Sequence, residues 1–578
     1  MVDVLVVGAG PVGLSAAAEL LRHHVRCRLV DRLQARLPYA KAVGIQPRTL
    51  EIWDRMGLAR AVLEAAAELR GQLVYVNGRE RSRIDLVLPP EVPYGFAALP
   101  QYATERLLEE YVTGLGGAVE RGTELVSFSQ DQHGVTAVLR TSDGTEEEVR
   151  ARYLVGCDGA HSVVRKQLGL TFEGGAFPEE YMLADVVADW DLPYGYGVRS
   201  SHLADDGSTD DVLVCIPLPG AGRYRMSMRV PPELATQPAA PPAGRTGGGQ
   251  DDGVAHGLAS GGRAPRLSDI QTVVDRLAPR PAVLSRMRWS SVFRISHRIV
   301  DRYGYGRVFV AGDAAHIHPP TGAQGMNTGI QDACNLAWKL ALVVRGDARP
   351  DLLGTYDAER RPVGEEVVGR TVRHAAHGID TESDDPRTLL LREAQLLVGY
   401  RGGPLAGREY GPADAPQPGD RAPDCAGLTT AVAAYSLRLL DILRGRPGHV
   451  VLLYAAEPAD LAAAAAATAA TAAPGTVRGT DGTPDEPGQP NTPPSPRLLP
   501  ALDILAVLAR EAPPTPPDAL PVAGYRDAAG EFARLYRTDG PTGFVVRPDG
   551  QLGARFPLAG TAAALSGYLA ALSAPAPT

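Results

Sequence analysis

A glycine-rich turn between a buried strand and a helix, at the start of the chain, limits the fold more than any other stretch. The apolar run Asp3–Val7 is followed by Gly8, Gly10 and Gly13 in the spacing GxGxxG, and a helical pattern covers Leu14–His23. The first glycine allows the turn, the second lets backbone approach a pyrophosphate, and the third lets helix pack on strand. The pattern predicts a Rossmann-like unit that binds a dinucleotide, and it does not separate NAD from FAD.

Polar residues after this unit are candidates for further contacts with the dinucleotide. The second strand, Arg26–Val30, ends at Asp31, where an acid can hold a ribose hydroxyl. Lys41 could neutralise phosphate, although the residue taken alone favours a solvated surface lysine. Gln101 precedes the helix predicted over Tyr102–Leu115 and either hydrogen-bonds the ligand or caps that helix.

Two further strands end in an acid beside glycine. The run Tyr153–Val155 leads to Asp158, and the run Arg307–Ala311 leads to Asp313. Together with the glycine turn, these strand ends predict an extended ligand lying across one edge of a parallel sheet.

The loop after Asp313 leads into a long helix. Its prolines and glycines, including Pro320, allow no helix before about Gly325. From Met326 the apolar residues follow helical spacing, and Asn327 lies in the first turn. Such a helix start presents free N–H groups and the positive end of the helix dipole, which suit an anionic ring edge or a phosphate.

Composition excludes several classes of protein. The 578 residues predict two or three domains, and a net charge of −9 argues against a nucleic-acid partner. The five cysteines are scattered without metal-ligand spacing, so neither a metal site nor a disulfide framework is expected. Without a signal sequence or an apolar run of membrane-spanning length, the sequence predicts a cytoplasmic protein with no membrane partner.

The middle of the chain changes character. Strand-like runs between about Phe177 and Val300 predict a separate antiparallel sheet, either a roof over the ligand or a dimerisation layer. The Pro/Gly/Ala-rich stretch 236–266 is predicted to be a disordered loop. The polar candidates for a substrate pocket on this sheet are Arg223, Tyr224, Arg225 and His297.

A third region follows a turn-rich stretch at 417–424. A strand at His449–Tyr454, a hairpin around 543–556 and a closing helix predict a small α/β domain. The intervening stretch 458–500 is Ala/Thr-rich and then Pro/Gly/Thr-rich, and it is predicted to be a disordered insert whose first part could be helical.

The chain resembles the group A, p-hydroxybenzoate hydroxylase-like flavoprotein monooxygenases, and among them the aromatic polyketide hydroxylases of antibiotic biosynthesis. The segments that carry the resemblance are VVGAGPVGLSAAAEL, YLVGCDGAHSVVRKQLGL, VFVAGDAAHIHPPTGAQGMNTGIQDACNLAWKLA, KAVGIQPRTLEIWDRMGL and PQYATERLL. Two more, PGDRAPD and GFVVRPDGQLGARF, are similar to the thioredoxin-like C-terminal domain of larger members.

The resemblance implies three domains. A glutathione-reductase-type, Rossmann-like α/β FAD-binding domain would comprise residues 1–176 and 300–390. An antiparallel-sheet substrate domain would be inserted at 177–299, and a thioredoxin-like α/β domain would cover 400–578. The last domain has no CxxC motif, so a packing or dimerisation role is expected for it.

The resemblance also implies roles for the candidate residues around non-covalent FAD. The turn at Gly8, Gly10 and Gly13 would lie against the pyrophosphate. The other implied FAD contacts are Asp31, Lys41, Gln101, Val126, Asp158, Asp313, Gly325, Met326 and Asn327. Pro320 would lie beside the reactive edge of the flavin, and backbone N–H groups of Met326 and Asn327 would face N1 and O2. Members usually have Arg at Lys41, and many have Gly at Ala323.

The implied activity is NADPH- or NADH-dependent insertion of one oxygen atom from O2 into a polycyclic aromatic polyketide, through a hydroperoxide at flavin C4a. A Baeyer–Villiger oxygenase of a polycyclic ketone and a non-catalytic FAD-containing subunit of a synthase complex remain as alternatives. A flavin halogenase is disfavoured because its Trp-x-Trp-x-Ile-Pro stretch is missing. The expected partners are small molecules, and the protein would be a monomer or a homodimer.

Overall fold

The computed structural model describes most of the chain in nine stretches. These are residues 2–38, 42–231, 257–258, 264–319, 321–377, 385–430, 435–472, 502–514 and 520–573. Lys41 and Pro320, both predicted to lie at the flavin, fall outside the described residues.

A predominantly parallel sheet of eight strands forms the first layer. Its main path runs, in spatial order, through Gly304–Tyr305, Val308–Val310, Glu146–Gly156, Val2–Val7, Cys27–Asp31 and Val119–Arg121. The remaining strands, Val135–Thr141 and Thr123–Gln130, add an antiparallel extension beside Glu146–Gly156. The central strand Val2–Val7 is buried from residue 3 onward, as a parallel strand covered on both faces should be.

Helices cover this sheet and join it to a small sheet. They are Pro11–Arg22, Pro47–Met56, Ala59–Ala65, Gln101–Gly114, Val163–Gln167, Gly325–Arg345 and Gly354–His377, with 3-10 turns at Gly312–Ala314, Thr321–Ala323 and Pro350–Leu353. The small sheet consists of Gly44–Ile45, Phe96–Ala98 and Ala67–Leu69. The long helix begins at Gly325 as predicted, but short 3-10 helices at Gly312–Ala314 and Thr321–Ala323 precede it, where no helix was predicted.

A nine-stranded sheet forms the second layer. Its strands, in spatial order, are Gly257–Leu258, Val283–Val300, Phe172–Asp189, Arg223–Arg229, Thr209–Pro217, Tyr196–Leu203, Gly71–Val76 and Arg79–Asp85, with His316–Ile317 beside Val283–Val300. The helix Leu267–Leu277 covers one face.

This layer differs from the predicted insert in four respects. Gly71–Val76 and Arg79–Asp85 come from before the middle region, and Gly71–Val76 pairs in parallel with Tyr196–Leu203. The strand Phe172–Asp189 crosses the boundary predicted at 176/177. Within the stretch predicted as a disordered loop, Gly257–Leu258 pairs with Val283–Val300. Long-range pairing decides each of these features, and local patterns do not record it.

A mixed six-stranded sheet forms the third layer. Its strands, in spatial order, are Leu428–Thr429, Ala523–Asp527, Leu502–Leu508, His449–Ala455, Thr542–Val546 and Leu552–Pro557. The helices beside it are Leu439–Leu443, Pro458–Ala472, Glu531–Tyr536 and Thr561–Ser573, and Pro386–Glu393 lies in the connection from the first layer.

The first part of the insert predicted at 458–500 is helical, which is the alternative left open for it, and it is not disordered. Pro458–Ala472 is a helix whose Leu461, Ala464 and Ala465 are buried. Alanine has the highest helix propensity, and the helix packs against Thr561–Ser573. Residues 473–501 lie outside the described part of the chain.

The first and third layers share one hydrophobic core. Val4 and Leu336 of the first layer belong to the same buried cluster as Val451, Val545 and Phe556 of the third. In the part of the chain that the structure describes, no helix combines the length and apolarity needed to cross a bilayer.

Candidate functional site

Three strand ends named in the sequence analysis lie side by side. Val7 is paired with both Val30 and Gly156, and Gly156 is paired with Val310. The hydrogen bonds continue past the strands, because Cys157 N–H donates to Val7 O at 2.7 Å and Ala311 N–H donates to Gly156 O at 3.0 Å. The glycine turn, Asp158 and Asp313 therefore follow adjacent strands at one edge of the sheet.

The three glycines of the turn differ in what surrounds them. Gly8 has φ +99°, and a Cβ there would lie 2.4 Å from Cys157 O. A Cβ at Gly13 would lie 1.8 Å from Gly8 O, so this position sets the close approach of helix to strand. A Cβ at Gly10 would meet nothing within 4 Å among the residues that the structure describes. The helix N-terminus at Gly10 thus has open space in front of it, and the pyrophosphate of a dinucleotide fits such a cradle.

The backbone of the turn holds Asp31 in place. Its Oδ2 accepts a hydrogen bond from Ala9 N–H at 2.7 Å, and its Oδ1 accepts one from Leu33 N–H at 2.8 Å. The carboxylate is therefore fixed at the end of the second strand, beside the first glycines, where a ribose hydroxyl is recognised in dinucleotide folds.

Asp313 and Asp158 lie at neighbouring strand ends and differ in their surroundings. Asp313 is exposed although both neighbouring residues, Gly312 and Ala314, are buried. Asp158 instead accepts hydrogen bonds from Ser162 Oγ at 2.5 Å and from backbone N–H groups at the start of the helix Val163–Gln167. Desolvation raises the pKa of the Asp158 carboxyl above its usual value, while those three donors oppose the shift.

Gln101 and Val126 have partners within the protein. Gln101 Nε2 donates to Glu105 Oε1 at 2.8 Å, one turn along its own helix. Val126 O accepts from Gln167 Nε2 at 2.8 Å, and both Gln101 and Val126 are half-buried.

The start of helix Gly325–Arg345 is held by the Asn327 side chain. Asn327 Oδ1 accepts from Gln46 N–H at 3.0 Å, and its Nδ2 donates to Gly44 O at 3.0 Å and to Ala323 O at 2.7 Å. Asn327 is fully buried, so its side chain acts as a clamp between the small sheet and the loop.

The first backbone N–H groups of this helix do not take part in its own hydrogen-bond pattern. Thr328 N–H is the first that bonds within the helix, to Gln324 O at 2.9 Å. The N–H groups of Gly325, Met326 and Asn327 therefore precede the helix's own hydrogen-bond pattern, and Gly325 and Met326 are half-buried.

A buried polar network lies behind this loop, and the sequence analysis did not identify it. Asp332 accepts from His316 Nε2 at 2.8 Å, from Arg360 Nε at 2.8 Å and from Gly312 N–H at 3.2 Å. Arg360 also donates to Thr328 O at 3.1 Å. One fully buried aspartate thus connects the strand end before Asp313 to the first turn of the helix.

His318 lies against the first residue of the same helix. Its Nδ1 donates to Pro319 O at 2.8 Å, and a Cβ at Gly325 would lie 3.2 Å from its Nε2. Burial, with a smaller contribution from His316, lowers the pKa of His318 to about 4. His318 is therefore neutral at physiological pH and positions the loop as a hydrogen-bond donor from Nδ1.

We expect the free energy of unfolding to fall steeply below pH 6.5. His318 has a pKa of about 4 in the folded protein, and His23 and His449 have pKa values of about 3, all lowered mainly by burial. As the pH falls, these histidines take up protons in the unfolded chain, at a pKa of about 6.5, before they do so in the folded protein. Each of them therefore lowers the free energy of unfolding by about 2 kcal/mol between pH 6.5 and pH 5. Urea unfolding at pH 7 and pH 5 measures this loss. His318→Phe should lose about 2 kcal/mol less than wild type, whereas exposed His133→Gln should match it; equal losses in all three proteins would contradict the assignment.

Gly44 and Ala323 form a contact that admits one methyl group. A Cβ at Gly44 would lie 2.5 Å from Ala323 Cβ, and Ala323 itself has φ +55°. We expect Gly44→Ala to lower the free energy of unfolding by about 1–3 kcal/mol through overpacking. In an Ala323→Gly background the opposing methyl is gone, so the same change should cost little. Equilibrium unfolding of the four proteins in this cycle tests the contact, and additive effects would show that it is not responsible.

The structure separates the four candidates for a substrate pocket. Tyr224 is buried beneath the helix Leu267–Leu277, with its ring 5.7 Å from that of Trp190. Arg225 lies on the opposite face, where it forms a buried bidentate ion pair with Asp185 at 2.6 and 2.9 Å. Arg223 donates to Pro219 O at 3.2 Å, and His297 packs edge-on against Phe177 at 5.3 Å. They do not form one cluster, because successive residues of a strand alternate between faces.

The glycine turn, the fixed Asp31 carboxylate and the helix start at adjacent strand ends suit a dinucleotide. Comparison with known protein families agrees, since the FAD binding domain model matches residues 1–243 and 259–371. The chain belongs to the FAD-binding flavoprotein monooxygenases. The predicted family and the predicted FAD are confirmed.

Two relatives and one solved structure illustrate the match. The chain is 41% identical over 372 residues to 6-methylpretetramide 4-monooxygenase of Streptomyces rimosus, covering 64% of this chain and 61% of that relative's length. It is 34% identical over 475 residues to a flavin-dependent monooxygenase of Mycobacteroides abscessus, covering 80% of this chain and 90% of the relative. Aklavinone-11 hydroxylase, solved with FAD and aklavinone, superposes with a TM-score of 0.71 at 26% identity over 99% of this chain and 98% of that chain.

Proposed function

We propose that this protein is an NAD(P)H-using monooxygenase that hydroxylates a polycyclic aromatic polyketide in the biosynthesis of an antibiotic or another secondary metabolite. The similarity to 6-methylpretetramide 4-monooxygenase and to aklavinone-11 hydroxylase supports this substrate class. Bound FAD supplies the activation of O2 and the transfer of one oxygen atom. The residues of this chain bind and orient the cofactor, exclude water and hold the substrate.

The observation that carries the proposal is the shared edge of the sheet. Open space before Gly10, the exposed carboxylate of Asp313 and the half-buried helix start at Gly325 all lie there. In the proposal the turn at Gly8, Gly10 and Gly13 holds the pyrophosphate, and Asp31 and Asp313 hold ribose and ribityl hydroxyls. The other proposed FAD contacts are Lys41, Gln101, Val126, Asp158, Pro320, Gly325, Met326 and Asn327.

The helix start at Gly325–Asn327 has a chemical task. Its N–H groups, which precede the helix's own hydrogen bonds, and the positive end of the helix dipole stabilise negative charge on the pyrimidine edge of the ring system. Removing one such donor typically costs about 3–4 kcal/mol of stabilisation. Asn327 and the network through Asp332 hold these N–H groups in position before the cofactor binds.

The third layer is proposed to be a thioredoxin-like domain without redox activity. It is part of the predicted division into residues 1–176 with 300–390, 177–299, and 400–578. Cys425, its single cysteine, is fully buried, and burial raises the pKa of its thiol well above the usual value. Because the thiolate is the reactive form, a packing role is proposed for this domain.

The test is turnover of the purified holoenzyme with aklavinone and a panel of polycyclic phenols under ¹⁸O₂. We expect NADPH or NADH oxidation that depends on the phenol, and a product carrying one labelled oxygen as a new ring hydroxyl. Parallel reactions with each nucleotide decide which of the two is used. A lactone product, identified by NMR, would show that the protein is a Baeyer–Villiger oxygenase and not a hydroxylase. The absence of any phenol-dependent NADPH or NADH oxidation would contradict the proposal that it is an oxygenase.

A further inference from the structure

One face of the nine-stranded sheet borders the proposed flavin site, and we call it the inner face. Met182, Ala184 and Met226 pack beneath the helix Leu267–Leu277, so the residues between them point to the opposite side. Ile216 on that opposite side packs against Val43 and Ala98. Ala98 pairs with Gly44, whose carbonyl accepts from Asn327. The inner face therefore lies towards the loop that precedes helix Gly325–Arg345.

The inner face carries an apolar, aromatic wall. Leu183, Phe293 and Ile295 are buried there, and Phe177, Tyr181 and Trp289 pack against them. The rings of Tyr181 and Phe293 lie 5.7 Å apart. A wall of this composition suits a flat, fused-ring molecule.

Arg225 and Arg199 both project from the inner face, and they differ in their partners. Arg225 is neutralised by Asp185, which also accepts from Trp289 Nε1 at 2.9 Å. Arg199 is half-buried, and no carboxylate or hydrogen-bond acceptor among the described residues pairs with it. Desolvation lowers the pKa of Arg199, opposed only by the nearby Tyr181.

The strand register places Arg199 in the same cross-strand row as Leu183 of the aromatic wall, with two strands between them. Arg199 is paired with Val214, Val214 with Ser227, and Ser227 with Leu183. Paired residues project on the same face of a sheet, so this row runs from the cation to the wall. A half-buried guanidinium without a counter-charge is costly, and an anionic ligand would supply the missing partner.

We propose that Arg199 binds an ionised oxygen of the aromatic substrate, a phenolate, enolate or carboxylate, while the fused rings lie on the wall around Tyr181 and Phe293. The inference rests on the proposed function, because it assigns the charge of that substrate. Arg199 is then a specificity-determining residue, and Arg225 is a structural one. Arg225, and not Arg199, was among the pocket residues predicted from the sequence, because alternation along a strand does not show which arginine has a carboxylate opposite it.

The test uses two probes that differ only in charge, anthraquinone-2-carboxylate and anthraquinone-2-carboxamide. Their affinities for the holoenzyme are read from the perturbation of the bound-flavin spectrum, without turnover. We expect wild type to bind the carboxylate about 10–100-fold more tightly than the carboxamide, as for a hydrogen bond to a charged group. Arg199→Gln should abolish this ratio, and Arg199→Lys should retain part of it because the charge remains.

A matched control and thermal unfolding separate recognition from folding. Arg81→Gln removes one exposed cation from the edge strand Arg79–Asp85 of the same sheet and should leave the ratio unchanged. Equal affinities of wild type for the two probes, or an unchanged ratio in a folded Arg199→Gln variant, would overturn the assignment. If the ratio behaves as expected but no phenol is hydroxylated, the proposed function fails and the anion site stands.

Discussion

Replacing Arg547 with Met lowers the free energy of unfolding by about 3–5 kcal/mol, the usual cost of removing one partner from a buried ion cluster. Arg547 belongs to the third layer, and its guanidinium is fully buried. It donates to Glu359 Oε1 at 2.7 Å and Oε2 at 2.8 Å, and to Asp549 Oδ2 at 2.6 Å. Without Arg547, the buried carboxylates of Glu359 and Asp549 have only one cation of this cluster left to balance them.

That remaining cation is Lys339, on the helix whose start is proposed to face the flavin. Lys339 Nζ donates to Glu359 Oε2 at 2.8 Å, and Asn335 Nδ2 donates to both Glu359 and Asp549. The attraction of Arg547 and Lys339 lowers the pKa of Glu359 to about 2, against the effect of burial. The cluster therefore holds two positive and two negative charges and joins the third layer to helix Gly325–Arg345.

A double-mutant cycle tests the charge argument directly. Glu359→Gln with Arg547→Met removes one charge of each sign, so the double variant should be more stable than the sum of the single effects by about 0.5–3 kcal/mol. Arg60→Met breaks an exposed ion pair with Glu64 and should cost no more than about 1 kcal/mol. Denaturant unfolding measures the four proteins of the cycle and the Arg60→Met control. Additive single effects, or a cost at Arg547 as small as that at Arg60, would contradict the account.

Replacing Gly13 with Ala should disrupt both the fold and the binding of FAD. The new Cβ would lie 1.8 Å from Gly8 O and 3.2 Å from Cys157 Cβ, so the helix Pro11–Arg22 must move away from the central strand. Overpacking of this kind costs about 1–3 kcal/mol and occasionally more. It also displaces the helix N-terminus that is proposed to bind the pyrophosphate.

Thermal unfolding and the flavin content of the purified protein measure this effect. We expect a lower melting temperature for Gly13→Ala and protein largely free of flavin. Gly567→Ala is the matched control, because it lies in the helix Thr561–Ser573 and its Cβ would meet nothing within 4 Å. A Gly13→Ala protein as yellow and as stable as this control would show that the turn does not require glycine.

The proposed flavin edge was predictable because its chemistry is local. Glycine spacing, an acid at a strand end and a proline-rich loop each restrict a few neighbouring residues, and helix Gly325–Arg345 begins where these restrictions end. The parallel pairing of Val2–Val7 with its neighbours follows from the same strand–turn–helix order.

The buried charges were not predictable, because each depends on a partner far along the chain. Asp332 meets Arg360, Arg547 meets Glu359, and Arg225 meets Asp185. In sequence these residues resemble solvated positions on helices and strands. Pairings such as Gly71–Val76 with Tyr196–Leu203 are likewise set by long-range packing.

Equilibrium titration of the apoprotein with FAD, comparing Gly10→Ala with Gly567→Ala, tests whether the dinucleotide crosses the sheet at the glycine turn. A Cβ at Gly10 meets no atom of the described residues within 4 Å, so a loss of FAD affinity would indicate a collision with the bound group. The account predicts unchanged stability of the Gly10→Ala apoprotein and an affinity for FAD at least about 10-fold weaker, equivalent to about 1.4 kcal/mol. Equal FAD affinities of the two variants would contradict the proposal that the dinucleotide crosses the sheet at this turn.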